Sequence, residues 1–133
     1  PAPREDAWEG IAIGAGQWTL RGYGPFWVSD RGTGEPVGRT GLYHTLWRDE
    51  PELGWVIYPA LRGRGYATEA ARAARDWASS ARNLGPLCSL IAEAHLASIR
   101  VAERLGAHRE GPQAGDQGPP VTRWRHPTPE ARA

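Results

Sequence analysis

Residues 52–81 read as a short apolar strand, a turn carrying Arg62-Gly63-Arg64-Gly65 and a long alanine-rich helix, an order that few folds accept. The strand, residues 52–58, sets Leu53, Trp55 and Ile57 on one face and Gly54, Val56 and Tyr58 on the other. Both faces carry apolar residues, so a central strand covered on both sides is expected. In the helix, Ala67, Ala70, Ala71, Ala74, Trp77, Ala78 and Ala81 recur at three- and four-residue steps, while Arg72, Arg75, Asp76, Ser79 and Arg82 take the other side. An alanine stripe lets a helix approach a sheet closely. Gly85-Pro86 stops it, and residues 87–92 form a second apolar strand. The two strands are therefore expected to be parallel neighbours in a β-α-β unit that splays toward its C-terminal ends, where such sheets bind ligands.

The turn brings two residues without a β-carbon and two permanent cations to a helix start. There the first backbone N–H groups lack intrahelical acceptors and the helix dipole presents its positive end, a setting that suits a pyrophosphate. A bare glycine lets phosphate oxygens reach those N–H groups and permits φ > 0. Two commoner phosphate loops are excluded. No Gly-x-x-x-x-Gly-Lys-Ser/Thr is present, and Gly63-x-Gly65 is followed by Thr68 where a dinucleotide fold needs its third glycine. From these residues alone, an ordinary strand-to-helix turn with solvated arginines stands as the alternative.

Along the rest of the chain, residues 1–13 read as a short helix opened by Asp6 and weakened by Gly10. Trp18, Leu20, Tyr23, Phe26, Trp27 and Val28 then read as a strand entered through a turn at Gly22, Gly24 and Pro25. Turn residues 31–36 lead to an extended stretch, 37–43, giving an antiparallel hairpin, and 47–51 is a polar loop. Residues 95–105 are a helix with Leu96, Ile99, Ala102 and Leu105 inward and Gly106 at its end. Residues 107–111 and 121–126 form a last hairpin around a loop at 112–120. One domain over residues 1–126 and a frayed tail over 127–133 are expected.

The near balance of 16 basic and 15 acidic residues gives no footprint of a nucleic-acid binder. No stretch has the run of roughly 20 apolar residues that a membrane span requires, so a cytoplasmic protein without nucleic-acid or membrane partners is expected. Cys88, the single cysteine, sits among Leu87, Leu90 and Ile91 and reads as a buried strand residue rather than a reactive thiol. His44, His108 and His126 show no metal-ligand spacing, with each other or with Cys88. The chain has no methionine and opens on Pro1, as a piece of a longer product would.

Arg62, Gly65 and Ala67 fit the pattern Arg/Gln-x-x-Gly-x-Gly/Ala, which resembles the acyl-CoA motif of the GNAT N-acetyltransferases. Glu52-Leu53-Gly54-Trp55, Gly65-Tyr66-Ala67-Thr68-Glu69-Ala70 and the run from Ser98 through Ile99-Arg100-Val101-Ala102-Glu103-Arg104-Leu105-Gly106 to Ala107 resemble the branch that acetylates N-termini of ribosomal proteins. The likeness spans residues 18–111. It implies an α/β fold with a mixed, largely antiparallel sheet, a splayed parallel β-α-β pair and flanking helices. It also implies an N-acetyltransferase that uses acetyl-CoA and no metal and acts as a monomer or homodimer on an amine acceptor, either a protein N-terminus or a small amine.

By the same resemblance, Arg62, Gly63, Arg64, Gly65, Tyr66 and Ala67 hold the pyrophosphate, with Tyr66 expected to pack in the loop. Main-chain groups of Val56, Ile57 and Tyr58 pair with the pantetheine arm like an added strand. Ser98 is a candidate thiol contact or proton donor, or else simply a polar residue in a first helical turn. Glu52 is a candidate amine-orienting carboxylate or base at the mouth of the site, or else a strand-end surface carboxylate. His95 stands where the family has an asparagine that caps the helix and can bond the pantetheine, both of which an imidazole does less well, with a proton carrier as its other reading. Relatives carry a strand and a helix ahead of Trp18, which this chain is expected to lack. The rival reading is a non-catalytic acyl-CoA-binding or partner-binding domain on the same fold.

Overall fold

A computed structural model describes residues 4–46, 48–113 and 119–129. In chain order it contains helix α1 (Arg4–Arg21) and strands β1 (Pro25–Ser29), β2 (Pro36–Tyr43) and β3 (Glu52–Ile57). A 3-10 turn (Pro59–Leu61) and helix α2 (Tyr66–Arg82) follow, then strand β4 (Cys88–Ala92), helix α3 (Leu96–Arg104) and strands β5 (His108–Gln113) and β6 (Val121–Arg125). The six strands form one sheet in the order β1-β2-β3-β4-β6-β5. β3 and β4 are parallel; every other neighbouring pair is antiparallel. This is the expected mixed sheet, with both hairpins and the β-α-β crossover in place.

The core lies between β2, β3 and Leu87, the residue just ahead of β4, on one side and α2 and α3 on the other. Leu42, Leu53, Ala71, Ala74, Ala78, Leu87, Val101 and Leu105 are buried together there. The alanine stripe of α2 is thus the face against the sheet. Trp77 supplies bulk by meeting Trp18 and Phe26 with ring centroids 5.5 and 5.2 Å away.

The N-terminal region departs from the sequence reading. A helix expected to end at residue 13, with the family's own front helix missing, runs instead as 18 residues to Arg21. Trp18 and Leu20 therefore belong to α1, and the strand starts at Pro25. Tertiary contact overrides the low helix propensity of glycine. A β-carbon on Gly14 would stand 2.9 Å from Pro25 Cγ, so its absence lets α1 close on β1. Trp18 Nε1 then donates to the Pro25 carbonyl at 2.7 Å, fixing the join.

Three smaller differences have similar causes. The second face of β3 is open, with Val56 and Tyr58 46% and 40% exposed, because α2 and α3 both pack on the face of Leu53 and Trp55. Arg75, expected in solvent, is buried, and its Nη1 donates to the Leu105 carbonyl at 2.6 Å. That carbonyl belongs to the C-terminal end of α3, where intrahelical donors run out and a cation suits the dipole. Pro127 packs against Gly106 rather than fraying. The expected tail beyond residue 129, the loop residues 114–118 and Trp47 lie outside the described residues.

Removing the Arg75 side chain leaves the buried Leu105 carbonyl without this donor. Arg75→Ala is expected to lower unfolding stability by about 1–3 kcal/mol. Urea denaturation would show this as a lower midpoint at unchanged slope, and an unaltered midpoint would contradict it.

Candidate active site

β3 and β4 pair in register at one position, Glu52 opposite Cys88. Past it the strands part, and side chains take the backbone groups that a continued ladder would have used. The Leu90 N–H donates to Glu52 Oε2 at 3.0 Å, and Ser89 Oγ donates to the Leu53 carbonyl at 2.6 Å. A hydroxyl has one proton, so Ser89 Oγ accepts from His126 Nε2–H at 2.7 Å. This fixes the tautomer and leaves Nδ1 as a buried acceptor with no partner among the described residues. Burial, with the charges of Arg75 and Arg125 acting in the same direction, pushes the His126 imidazole down from its ordinary 6.5 to about 4. It is neutral at physiological pH.

Past this wedge, a cavity of about 280 Å³ lies between β3, the loop into α2 and α3. Trp55, Val56 and Ile57 of β3 line one side; Arg62, Gly63, Gly65, Tyr66, Ala67 and Thr68 line a second; His95, Ser98, Arg100 and Arg104 line the third. Gly65 is the N-cap of α2 at φ 84°, and Gly63 has φ 80°. No atom lies within 4 Å of where a β-carbon would stand on either, so backbone angle and open cleft, not crowding, call for glycine. The first helical bond runs from Glu69 N–H to the Gly65 carbonyl at 3.1 Å. The N–H groups of Tyr66, Ala67 and Thr68 precede it and have no acceptor within the helix. Thus α2 turns a row of donors and the positive end of its dipole to the cleft.

The β3 edge differs from the expected set. Main-chain direction alternates along a strand. The Tyr58 N–H donates to Val37 O at 2.9 Å, and a β-carbon on Gly38 would lie 2.0 Å from Val56 O, so Val56 and Tyr58 turn their main chain to β2. The groups facing the cleft are those of Ile57 and of Trp55, which the motif reading missed and strand alternation identifies. The Ile57 carbonyl is already taken, by Arg62 Nε at 3.2 Å. Arg64 is exposed and outside the lining.

Tyr66 packs as expected: its hydroxyl donates to Asp30 Oδ2 at 2.5 Å, tying the first turn of α2 to the β1–β2 turn. That bond, helped by the Thr33 and Gly32 N–H groups, holds the Asp30 carboxyl below the usual range. On α3, His95 is the N-cap but makes no side-chain cap bond; its Nε2 is 3.3 Å from Ser98 Oγ, forming a pair on the cleft wall. Glu52 is not at the mouth. It sits at the closed end, holds Leu90 and has Arg48 Nη2 at 4.0 Å from Oε1. Cys88 is buried as expected, and desolvation pushes its thiol up to about 12. Among the described residues no group of three or more His, Cys, Asp or Glu could hold a metal, and no helix is long and apolar enough to cross a membrane.

The cleft thus combines a divergent parallel pair with a glycine-opened helix N-terminus. The acetyltransferase (GNAT) domain family matches residues 1–108, and the chain belongs to it. The crystal structure of an acetyltransferase from Agrobacterium tumefaciens is 34% identical and superposes with a TM-score of 0.85, over 96% of this chain and 74% of that one. The uncharacterized Bacillus subtilis protein YkkB is 38% identical over 92 residues, 66% of this chain and 54% of that protein. YnaD of the same organism, an uncharacterized N-acetyltransferase, is 31% identical over 75 residues, 56% of this chain and 44% of that protein. The chain spans about half the length of these curated relatives.

The buried imidazole gives the fold a defined pH response. The folded His126 has the lower pKa, so the unfolded chain binds the extra proton between about pH 6.5 and 4. Stability is expected to be full above pH 6.5 and to fall on the order of 3 kcal/mol as the pH drops to about 4. His126→Gln should flatten this part of the stability-against-pH curve. An unchanged slope in the variant would mean that other groups carry it.

Proposed function

We propose that the chain transfers an acetyl group from acetyl-CoA to a primary amine by direct attack on the thioester. The observation that carries this is the pair of positive-φ glycines, Gly63 and Gly65, at a helix N-terminus that forms one wall of the cavity beside β3. The pyrophosphate would take the free N–H groups of Tyr66, Ala67 and Thr68. The pantetheine arm would add to the β3 edge at Trp55 and Ile57 as a short extra strand.

The chemistry asks little of side chains. A neutral amine held against the thioester carbonyl attacks it, a backbone N–H steadies the oxygen that gains charge, and the C–S bond breaks. The departing thiolate takes the proton of Ser98 Oγ, Ser98 regains one from His95 Nε2–H, its neighbour at 3.3 Å, and the proton that the attacking nitrogen loses on becoming an amide returns through solvent to His95 Nδ1. Glu52 serves as a positioning residue in this scheme, since its carboxylate holds Leu90 at the apex of the gap. A protein N-terminus as acceptor is favoured by the likeness of residues 98–107 to the ribosomal-protein branch, with small amines as the other class.

Release of free thiol from acetyl-CoA, measured with a panel of N-terminal peptides and polyamines, tests the proposal. Turnover with at least one acceptor is expected; CoA binding without turnover on any would reduce the chain to a binding module. Ser98→Ala should lower turnover on the order of 10²–10⁴-fold with CoA affinity nearly unchanged. Gly65→Val should keep the fold, as checked by circular dichroism, yet weaken CoA binding more than about a hundredfold, since valine disfavours the required φ and its side chain fills the anion position. Tight binding by folded Gly65→Val would place the pyrophosphate elsewhere.

A further inference from the structure

The arginines of this chain divide by environment. On the far half of the sheet their guanidinium groups meet acids: Arg125 joins Glu50 to Glu110, Arg123 reaches Glu50 and Arg109 pairs with Glu93. Around the cleft the pattern reverses. Arg62, Arg100 and Arg104 line it and no acidic side chain does. Arg62 is turned onto the Ile57 carbonyl, but among the described residues the side chains of Arg100 and Arg104 make neither an ion pair nor a hydrogen bond. They stand four residues apart on one face of α3, an arrangement of like charges that by itself disfavours the helix. Arg72 of α2 adds a further cation beside them, its Nη2 3.4 Å from the Arg104 carbonyl.

The diphosphate has backbone donors at α2 and does not need this pair. Two guanidinium groups one helical turn apart suit instead a compact dianion, which accepts paired charge-assisted hydrogen bonds from each. We propose that Arg100 and Arg104 form a second anion subsite, facing the α2 N-terminus across the cleft, that takes the 3′-phosphate monoester of CoA. The chain then selects CoA over its 3′-dephospho form. This rests on the acetyl-CoA reading above and adds the chemical group by which the cofactor is distinguished.

Calorimetric titration of the wild-type chain and the double variant Arg100→Ala/Arg104→Ala with CoA and with 3′-dephospho-CoA tests it. Both positions are exposed, and alanine is a good helix former, so the variant should fold, as circular dichroism would verify. Wild type is expected to bind CoA about tenfold or more tighter than dephospho-CoA. In the variant, CoA should fall to the level of dephospho-CoA, whose own affinity should not move. Equal wild-type affinities would overturn the subsite, as would a variant that weakens both ligands by one factor. Gly65→Val serves as the control, since it removes the shared diphosphate contact and should weaken both ligands alike. A wild-type chain that binds neither ligand would overturn the acetyl-CoA reading itself, and the subsite with it.

Discussion

Everything the cleft can do depends on β3 and β4 meeting once, at Glu52 and Cys88, and then parting. A parallel pair that continued would consume the edge groups of Trp55 and Ile57 and close the space before α2. Parting has its own requirement, because buried N–H and C=O groups must find partners. Glu52 supplies one to Leu90 and Ser89 supplies one to Leu53, with His126 behind Ser89. The opening is therefore built from ordinary hydrogen bonds, moved from main chain to side chain at the two residues next to the fork.

The helices around the fork are placed by small residues and buried polar contacts. Alanines at 71, 74 and 78 let α2 lie close on the sheet, which brings its N-terminus to the cleft. Arg75 reaches from α2 to the end of α3, holding the two walls in fixed relation. Tyr66 pins the first turn of α2 to Asp30, so the donors of that turn keep their direction. The three alanines and Arg75 act on the geometry of the gap without lining it.

The central unit was legible because its signals are local. The period of the alanines, the Gly85-Pro86 stop and the glycines of the loop each mark a boundary without knowledge of the rest of the chain. What could not be read depends on neighbours distant in sequence. Gly10 and Gly14 lower helix propensity, yet α1 runs through both because Pro25 needs the space at Gly14. Arg75 sits where a helical wheel assigns solvent, and only the end of α3 explains its burial. Resemblance points to both Glu52 and Ser98 for chemistry, but the fork puts Glu52 at the closed end and leaves Ser98 beside His95 on the wall. The choice of Trp55 over Val56 and Tyr58 at the β3 edge was open to strand alternation, provided the partner on each side was known.

The measurement that bears most directly on the gap between β3 and β4 as the cofactor site is the backbone amide spectrum of ¹⁵N-labelled protein titrated with CoA. Shifts concentrated at Trp55, Ile57 and residues 63–68, with the amides of the β1–β2 hairpin nearly still, are the expected result. Shifts confined to residues outside the cleft, or none at millimolar CoA, would contradict it.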